Sequence, residues 1–503
     1  MGVIAKQSIK GALANYLGVL IGAFTTFFVL TDLLTQEEVG LTRVLVDAAM
    51  LFSSLAQLGT NASILRFYPR FHSDDPAGRD HGFFGWTLLL PLIGFLLIAI
   101  LFLVFRPAIV GYYAVGAPLV VDYAWLLLPL TFFALYMTVF ETNASVLLHI
   151  ALPKFVREVV IRLLNLGSYL LYGYGLISLR LFVILFCSSY AVATLINLVY
   201  LLSLGRVSFR PDLKFVNRRL GREVLVYTLF MTATALAGNI KLFNSLFLAR
   251  EGLKLAGIYT IACYIANVIE IPYRSLGAIS SPIISQAVAR GDMAEVNRLG
   301  RQVSLHQLLV ASLLLFFIWI NLPPLFAVIP NGQDYASGMG VVLFLGLANL
   351  INSTLCIATN ILNFSRHYAF SLLFILLLTA SAIGLNVWLI PLWGVNGSAC
   401  ATLFAYVIYF VPLLTLLWRR LGVSLFSLKQ LWVLLLAAAL FLLNEGWDLL
   451  LSPLFAQLGS GLVPLLAEAL LRTAFFAILT CLALRRMHIS PEVDRLLRLR
   501  RKG

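Results

Sequence analysis

Charge, histidine and cysteine are all scarce in this chain, and each shortage excludes something. Acidic and basic residues make up 12% of its 503 residues, against 61% hydrophobic. A disordered chain and an ordinary water-soluble enzyme both carry far more charge, so both classes are excluded. The six histidines (His72, His81, His149, His306, His367, His488) lie near loops or segment ends and form no metal-like cluster. The five cysteines (Cys187, Cys263, Cys356, Cys400, Cys481) stand far apart within apolar stretches. They read as small packing residues rather than disulfide partners or metal ligands. No glycine-rich Lys-Ser/Thr phosphate loop, His-Glu-x-x-His or Cys-x-x-Cys occurs, so no ATP site, metal site or cofactor is expected. Long polar loops are also missing, which leaves no room for a soluble catalytic domain.

What fills the chain instead is fourteen apolar stretches between residues 11 and 485. Each is long enough to cross about 30 Å of hydrocarbon. Backbone groups in hydrocarbon must be satisfied internally, and the stretches lack the alternation of barrel strands, so an all-α polytopic membrane protein of 14 transmembrane helices is expected. The first stretch is too long for a signal-peptide core and is expected to be retained. The net charge of +14 could point to nucleic acid, but its distribution argues otherwise. Of 36 Lys and Arg, 27 fall in the amino-terminal segment, alternate loops and tail; four lie in the opposite loops (Arg106, Arg180, Arg250, Lys254) and five inside segments. That is the positive-inside bias, and it places both termini in the cytoplasm with no nucleic-acid partner. The densest clusters, Arg206 to Arg222 and Arg495 to Lys502, suit anionic lipid headgroups.

The basic stretch 205–222 divides the chain. We expect an N-terminal six-helix bundle (1–204), a cytoplasmic linker (205–222), a C-terminal six-helix bundle (223–418) and two further helices with a basic tail (419–503). The halves are weakly alike. Gly40 follows Glu37 and Glu38, and Gly257 follows Glu251, an offset of 217; Asn165 and Asn386 are offset by 221. Repeats of six crossings share one orientation and relate by an axis along the membrane normal, an architecture in which a central cleft opens to each side in turn.

Three stretches carry a resemblance. Residues 37–71, EEVGLTRVLVDAAMLFSSLAQLGTNASILRFYPRF, resemble the second-helix region of polysaccharide exporters and oligosaccharide flippases. Residues 256–292, AGIYTIACYIANVIEIPYRSLGAISSPIISQAVARGD, resemble their eighth-helix region. Residues 386–402, NVWLIPLWGVNGSACAT, resemble the signature between helices eleven and twelve. In order and spacing the chain resembles a Wzx-type flippase of the multidrug/oligosaccharidyl-lipid/polysaccharide exporter superfamily. The resemblance implies a polyprenyl-pyrophosphate-linked oligosaccharide as cargo, membrane lipids and a polysaccharide polymerase as partners, and a bacterial cytoplasmic membrane as location. With no ATPase of its own, such a chain draws on a proton or sodium gradient, a partner, or the substrate's own gradient.

Charge inside the membrane is the best guide to a site, because an ion at a helix centre costs about 2.5–3.5 kcal/mol on insertion scales. Lys241 is the deepest basic residue. Arg43 and Asp47, Glu270 and Arg274, and Glu468 and Arg472 are each spaced i,i+4, so each pair either neutralises itself along one helix face or serves a cleft. Basic residues in a wet cleft suit phosphate through charge-assisted hydrogen bonds. The candidate substrate contacts are therefore Lys241, Arg43, Arg274, Arg162 and Arg66, with Asp47 and Glu270 as candidate coupling groups. Arg66 and Arg162 also read as simple inside anchors. Two relatives within the superfamily compete. A lipid II flippase carries arginines in its first helix, whereas residues 11–30 here have none. A multidrug/cation antiporter wants a buried acid there, and only Asp32, at the outer end, is available.

Overall fold

The computed structural model describes residues 3–71, 82–204, 240–456 and 461–487, together with 221–224, 226–228 and 231–232. Residues 205–220 of the basic linker and the whole basic tail from 488 lie outside the described residues. Among the described residues every regular element is helical. Eleven helices among them are long and apolar enough to cross a membrane, which makes this an all-α, multi-pass membrane protein. One of the eleven, Ala369–Leu421, is two helices joined across a kink at Gly394 and covers expected segments eleven and twelve. Expected segment five, 157–177, is helical to Gly173 within a helical run that starts at Ala151 and carries Lys154, Arg157, Glu158 and Arg162. Expected segment seven lies partly outside the described residues. The Phe83–Tyr113 helix leaves Leu96, Leu97, Ile100, Leu101, Leu103 and Val104 exposed along its length. A continuous apolar face of that kind meets lipid rather than water.

The chain divides into two compact units, Met1–Thr260 and Ile261–Gly503. In the first, Thr35 starts the Gln36–Ala56 helix with a capping box. Its hydroxyl accepts from Glu38 N, and the Glu38 carboxylate accepts from Thr35 N. Expected segment two is one continuous helix on apolar pattern alone, yet it breaks. Leu58 (φ 47°) and Gly59 (φ 68°) are left-handed, and a new helix runs Thr60–Phe71. The break lets the backbone close on its neighbour, since a Cβ on Gly59 would sit 2.5 Å from the Thr228 carbonyl oxygen. Below it, Phe67, Phe71, Phe83, Phe84, Tyr136 and Phe140 form an aromatic core.

Gly40 and Gly257 make a second close crossing. A Cβ on Gly40 would lie 2.1 Å from the carbonyl oxygen of Leu253, and one on Gly257 would lie 2.0 Å from that of Gln36. Each glycine thus faces the residue one turn before the other. The contact is reciprocal, and it joins residues at the offset of 217 noted in the sequence. Only backbones without a Cβ approach this closely.

In the second unit the long helix Met339–Phe364 packs against Met293–Ile320 and against Ala369–Leu421, whose two limbs meet at Gly394. The turn between those limbs needs its glycines. Gly394 sits at φ 54°, ψ −129°, and a Cβ on Gly397 would meet the Leu389 carbonyl oxygen at 2.1 Å. Across the turn the Ser398 hydroxyl donates to Asn386 Oδ1 at 3.0 Å. Gly394→Ala is expected to cost on the order of 1–3 kcal/mol in thermal unfolding in detergent, because that backbone region is nearly closed to residues with a Cβ. Gly384, which has open space around it, is the control and should gain up to about 1 kcal/mol as alanine.

The helices Leu428–Leu450 and Leu462–Met487 complete this unit. Phe316, Leu440, Trp447 and Phe476 pack between them and Met293–Ile320. The expected pairing of Glu468 with Arg472 does not form. Arg472 reaches instead to the preceding helix and donates to Asn444 Oδ1 and, at 2.7 Å, to Asp448 Oδ2. Glu468 accepts from the Ser452 hydroxyl and the Trp447 indole. Facing helices offer an acceptor at closer range than the long reach along one helix.

Candidate functional site

The Gln36–Ala56 helix presents Arg43 and Asp47 one turn apart, and the i,i+4 spacing closes into an ion pair. Arg43 Nε donates to Asp47 Oδ2 at 2.6 Å. The same oxygen accepts from the Ser245 hydroxyl, also at 2.6 Å, so the Ile240–Glu251 helix is tied to this pair. The Asp47 side chain is 5% exposed and that of Arg43 28%. One ion is therefore sunk in protein while its partner keeps a path outward. Lys241 stands one turn before Ser245 on the same helix, half-buried. Beside Ser245, Asn244 donates to the Tyr259 hydroxyl at 2.7 Å, which holds that helix to the next.

Tyr190 extends the cluster. It is buried on the Leu179–Ser203 helix, within electrostatic reach of Arg157, Asp47 and Arg43. Arg157 donates to Glu141 Oε2 at 2.8 Å, while Glu141 Oε1 is buried with no hydrogen-bond partner. Arg157 and Glu158 sit in a π-helical stretch, Val156–Val160, whose widened turn re-aims the side chains around it. Arg162 follows. It donates to Glu158 at 2.9 Å and to the Gly18 carbonyl of the first helix. Arg66 stands apart, half-exposed, 3.6 Å from Glu223 with its guanidinium 4.3 Å over the Tyr227 ring.

Glu270 and Arg274 belong to the second unit. Glu270 ends a short 3-10 turn, Val268–Glu270, just before Pro272, and is buried. Its carboxylate accepts from Asn352 Nδ2 at 3.2 Å. The Arg274 backbone is in the Ile271–Ala289 helix, but its side chain lies outside the described residues. Uncharged polar contacts also tie the neighbouring helices of this unit together. Asn349 donates to the Ala266 carbonyl at 2.9 Å, Asn360 to Ser281 at 2.9 Å, and Thr359 and Tyr409 share a hydrogen bond of 2.9 Å.

The structure thus places Arg43 and Asp47 in one cluster with Ser245, one turn from Lys241, and puts Arg162 and Arg66 in separate ion pairs. Sequence reading passes over Glu141, Arg157, Tyr190 and Ser245, and it groups Arg157 with an inside loop. A count of charges along segment five, where three fall within six residues (Arg157, Glu158, Arg162), is the signal that finds it.

A family model described as "Polysaccharide biosynthesis protein" matches residues 8–288, more than half of the chain. No curated protein gives a significant match. The fold is similar to that of a lipid II flippase, MurJ, in an inward closed conformation, at TM-score 0.72 and 11% identity, covering 95% of this chain and 99% of that one. It is also similar to a point mutant of the MATE transporter VcmN of Vibrio cholerae (TM-score 0.55, 12% identity, 84% and 99% covered). A third is a transporter of the multidrug/oligosaccharidyl-lipid/polysaccharide exporter superfamily from Pyrococcus furiosus (TM-score 0.55, 16% identity, 87% and 96% covered). The fold is the one these transporters share, and the chain belongs to the polysaccharide biosynthesis protein family.

Proposed function

We propose that this protein is a flippase. It would move polyprenyl-pyrophosphate-linked oligosaccharide units across a bacterial cytoplasmic membrane by alternating access, for surface polysaccharide or O-antigen assembly. Family membership supports the polysaccharide setting, and the shared transporter fold supports translocation. The observation that carries the reading is the Arg43–Asp47–Ser245 cluster with Lys241 one turn away. Ions are kept at such depth where protein or cleft water compensates them, and a basic group there matches a pyrophosphate through charge-assisted hydrogen bonds. Arg162, Arg66 and Arg274 are secondary contacts in this reading. Asp47 and Glu270 are the groups through which a proton or sodium gradient would couple. The basic bias puts both termini in the cytoplasm, and a polysaccharide polymerase would take the product outside.

The test is a gene deletion with mass spectrometry of lipid-linked glycans and an impermeant label for sidedness. Glycan should accumulate on the cytoplasmic face and clear on complementation. Lys241→Ala should slow clearance about 10- to 100-fold, the worth of one charge-assisted hydrogen bond. Unchanged glycans would sink the reading. The likeness to MurJ over 95% of this chain favours a second reading, a lipid II flippase. Accumulation of the peptidoglycan precursor in place of the glycan would select it.

A further inference from the structure

The second unit holds a cavity of about 760 Å³. It opens between the loop after Met293–Ile320 and the loop after Leu428–Leu450. Those loops lie at the end of the unit opposite Arg298, Arg301, Arg419 and Arg420, the end that the charge bias places outside. Its size is within the range of sites that enclose a small ligand. Its wall combines Asn331, Gln333, Asp334 and Glu468 with the ring of Phe455.

Charge narrows the ligand. Among the described residues lining the cavity there are two carboxylates and no Lys, Arg or His. A pyrophosphate or any other anionic head is repelled here. A metal ion is poorly served, since no group of three acidic, His or Cys side chains among the described residues forms a metal site. Glu468 is fixed in place, because its Oε1 accepts from the Ser452 hydroxyl and the Trp447 indole. That leaves Oε2 for a donor in the cavity. Carboxylates accept only, so the wall suits a ligand rich in hydroxyl donors. The half-buried ring of Phe455 offers an apolar surface suited to the C–H face of a sugar ring.

We propose that this cavity is a carbohydrate-binding pocket that holds the sugar part of the cargo on the outer face after translocation. The assignment rests on the flippase reading, which supplies a glycan on that side. It divides the labour by charge: the phosphate is met by basic groups within the membrane, and the glycan by acidic and amide groups outside it.

Thiol protection tests this in spheroplasts. Gln333→Cys, or Leu465→Cys if the first folds poorly, is labelled with a membrane-impermeant maleimide over the background of the unmodified chain. One strain makes the lipid-linked glycan; a second lacks the first sugar transferase and holds only bare carrier lipid. Labelling should be slower in the first strain, and adding Glu468→Gln should weaken that protection about tenfold, the worth of a hydrogen bond to a charged group. Equal labelling in the two strains overturns the pocket, as does equal protection by bare carrier. The sidedness assay runs alongside. Normal glycan translocation with no protection removes the pocket and leaves the flippase reading standing, whereas absent translocation removes the reading itself.

Discussion

Asp47→Ala is expected to destabilise the protein by about 3–5 kcal/mol, the cost of breaking a buried ion pair from one side. The Asp47 side chain is 5% exposed and holds both Arg43 and Ser245 on a single oxygen. Its removal takes the ion-pair partner from Arg43 and the tether from the Ile240–Glu251 helix in one step. Asp47→Asn also removes the charge but keeps an oxygen for Ser245, so it should lose less, and the difference between the two variants reads the tether. Thermal unfolding in detergent, followed by monodisperse recovery, reads the difference. A transport assay on Asp47→Asn then reads coupling. A variant that stays folded yet stops responding to the imposed gradient supports the coupling role, and full gradient-driven transport by that variant rejects it. Equal stability of the alanine and asparagine variants would mean that the tether to Ser245 contributes nothing, and an asparagine variant as stable as the unmodified chain would mean that the ion pair contributes nothing.

Gly40→Ala and Gly257→Ala should both cost about 1–3 kcal/mol or more, by overpacking against backbone that cannot swing aside. The added methyl would meet a carbonyl oxygen at 2.1 Å in one case and 2.0 Å in the other. Because the contact is reciprocal, the two losses should be similar in size. The double variant should cost less than their sum, since one separation of the helices relieves both clashes. Gly446, with nothing near its added Cβ, is the control expected to be neutral or slightly stabilised as alanine. Additive losses measured in the same unfolding assay would show that the two glycines act independently.

The fold class was legible in the sequence because lipid imposes one rule on every segment, and long apolar runs obey it visibly. The break at Leu58 and Gly59 was not legible. A leucine and a glycine in an apolar run look like helix interior, and the cause of the break is a neighbour's backbone at Thr228. Buried charges were easy to find, since any ion stands out in such a chain. Their partners were not, because Ser245 and Asn352 are uncharged and come from other helices. Arg472 shows the same limit. Its spacing pointed along its own helix to Glu468, while its actual acceptors, Asn444 and Asp448, lie on the helix before.

The Gly40–Gly257 crossing has a consequence for ancestry. Each glycine meets the residue four before the other, so positions 36 and 40 relate to 253 and 257 as they would in a two-subunit assembly whose identical patches touch. In a chain of half the length, one glycine facing its own copy would form an isologous contact, which closes on itself and cannot propagate into a filament. Such a dimer needs only one small residue to be invented, and fusing its two genes would carry the contact into the interior of a single chain. Two copies so joined would be free to diverge everywhere except where they still pressed on each other.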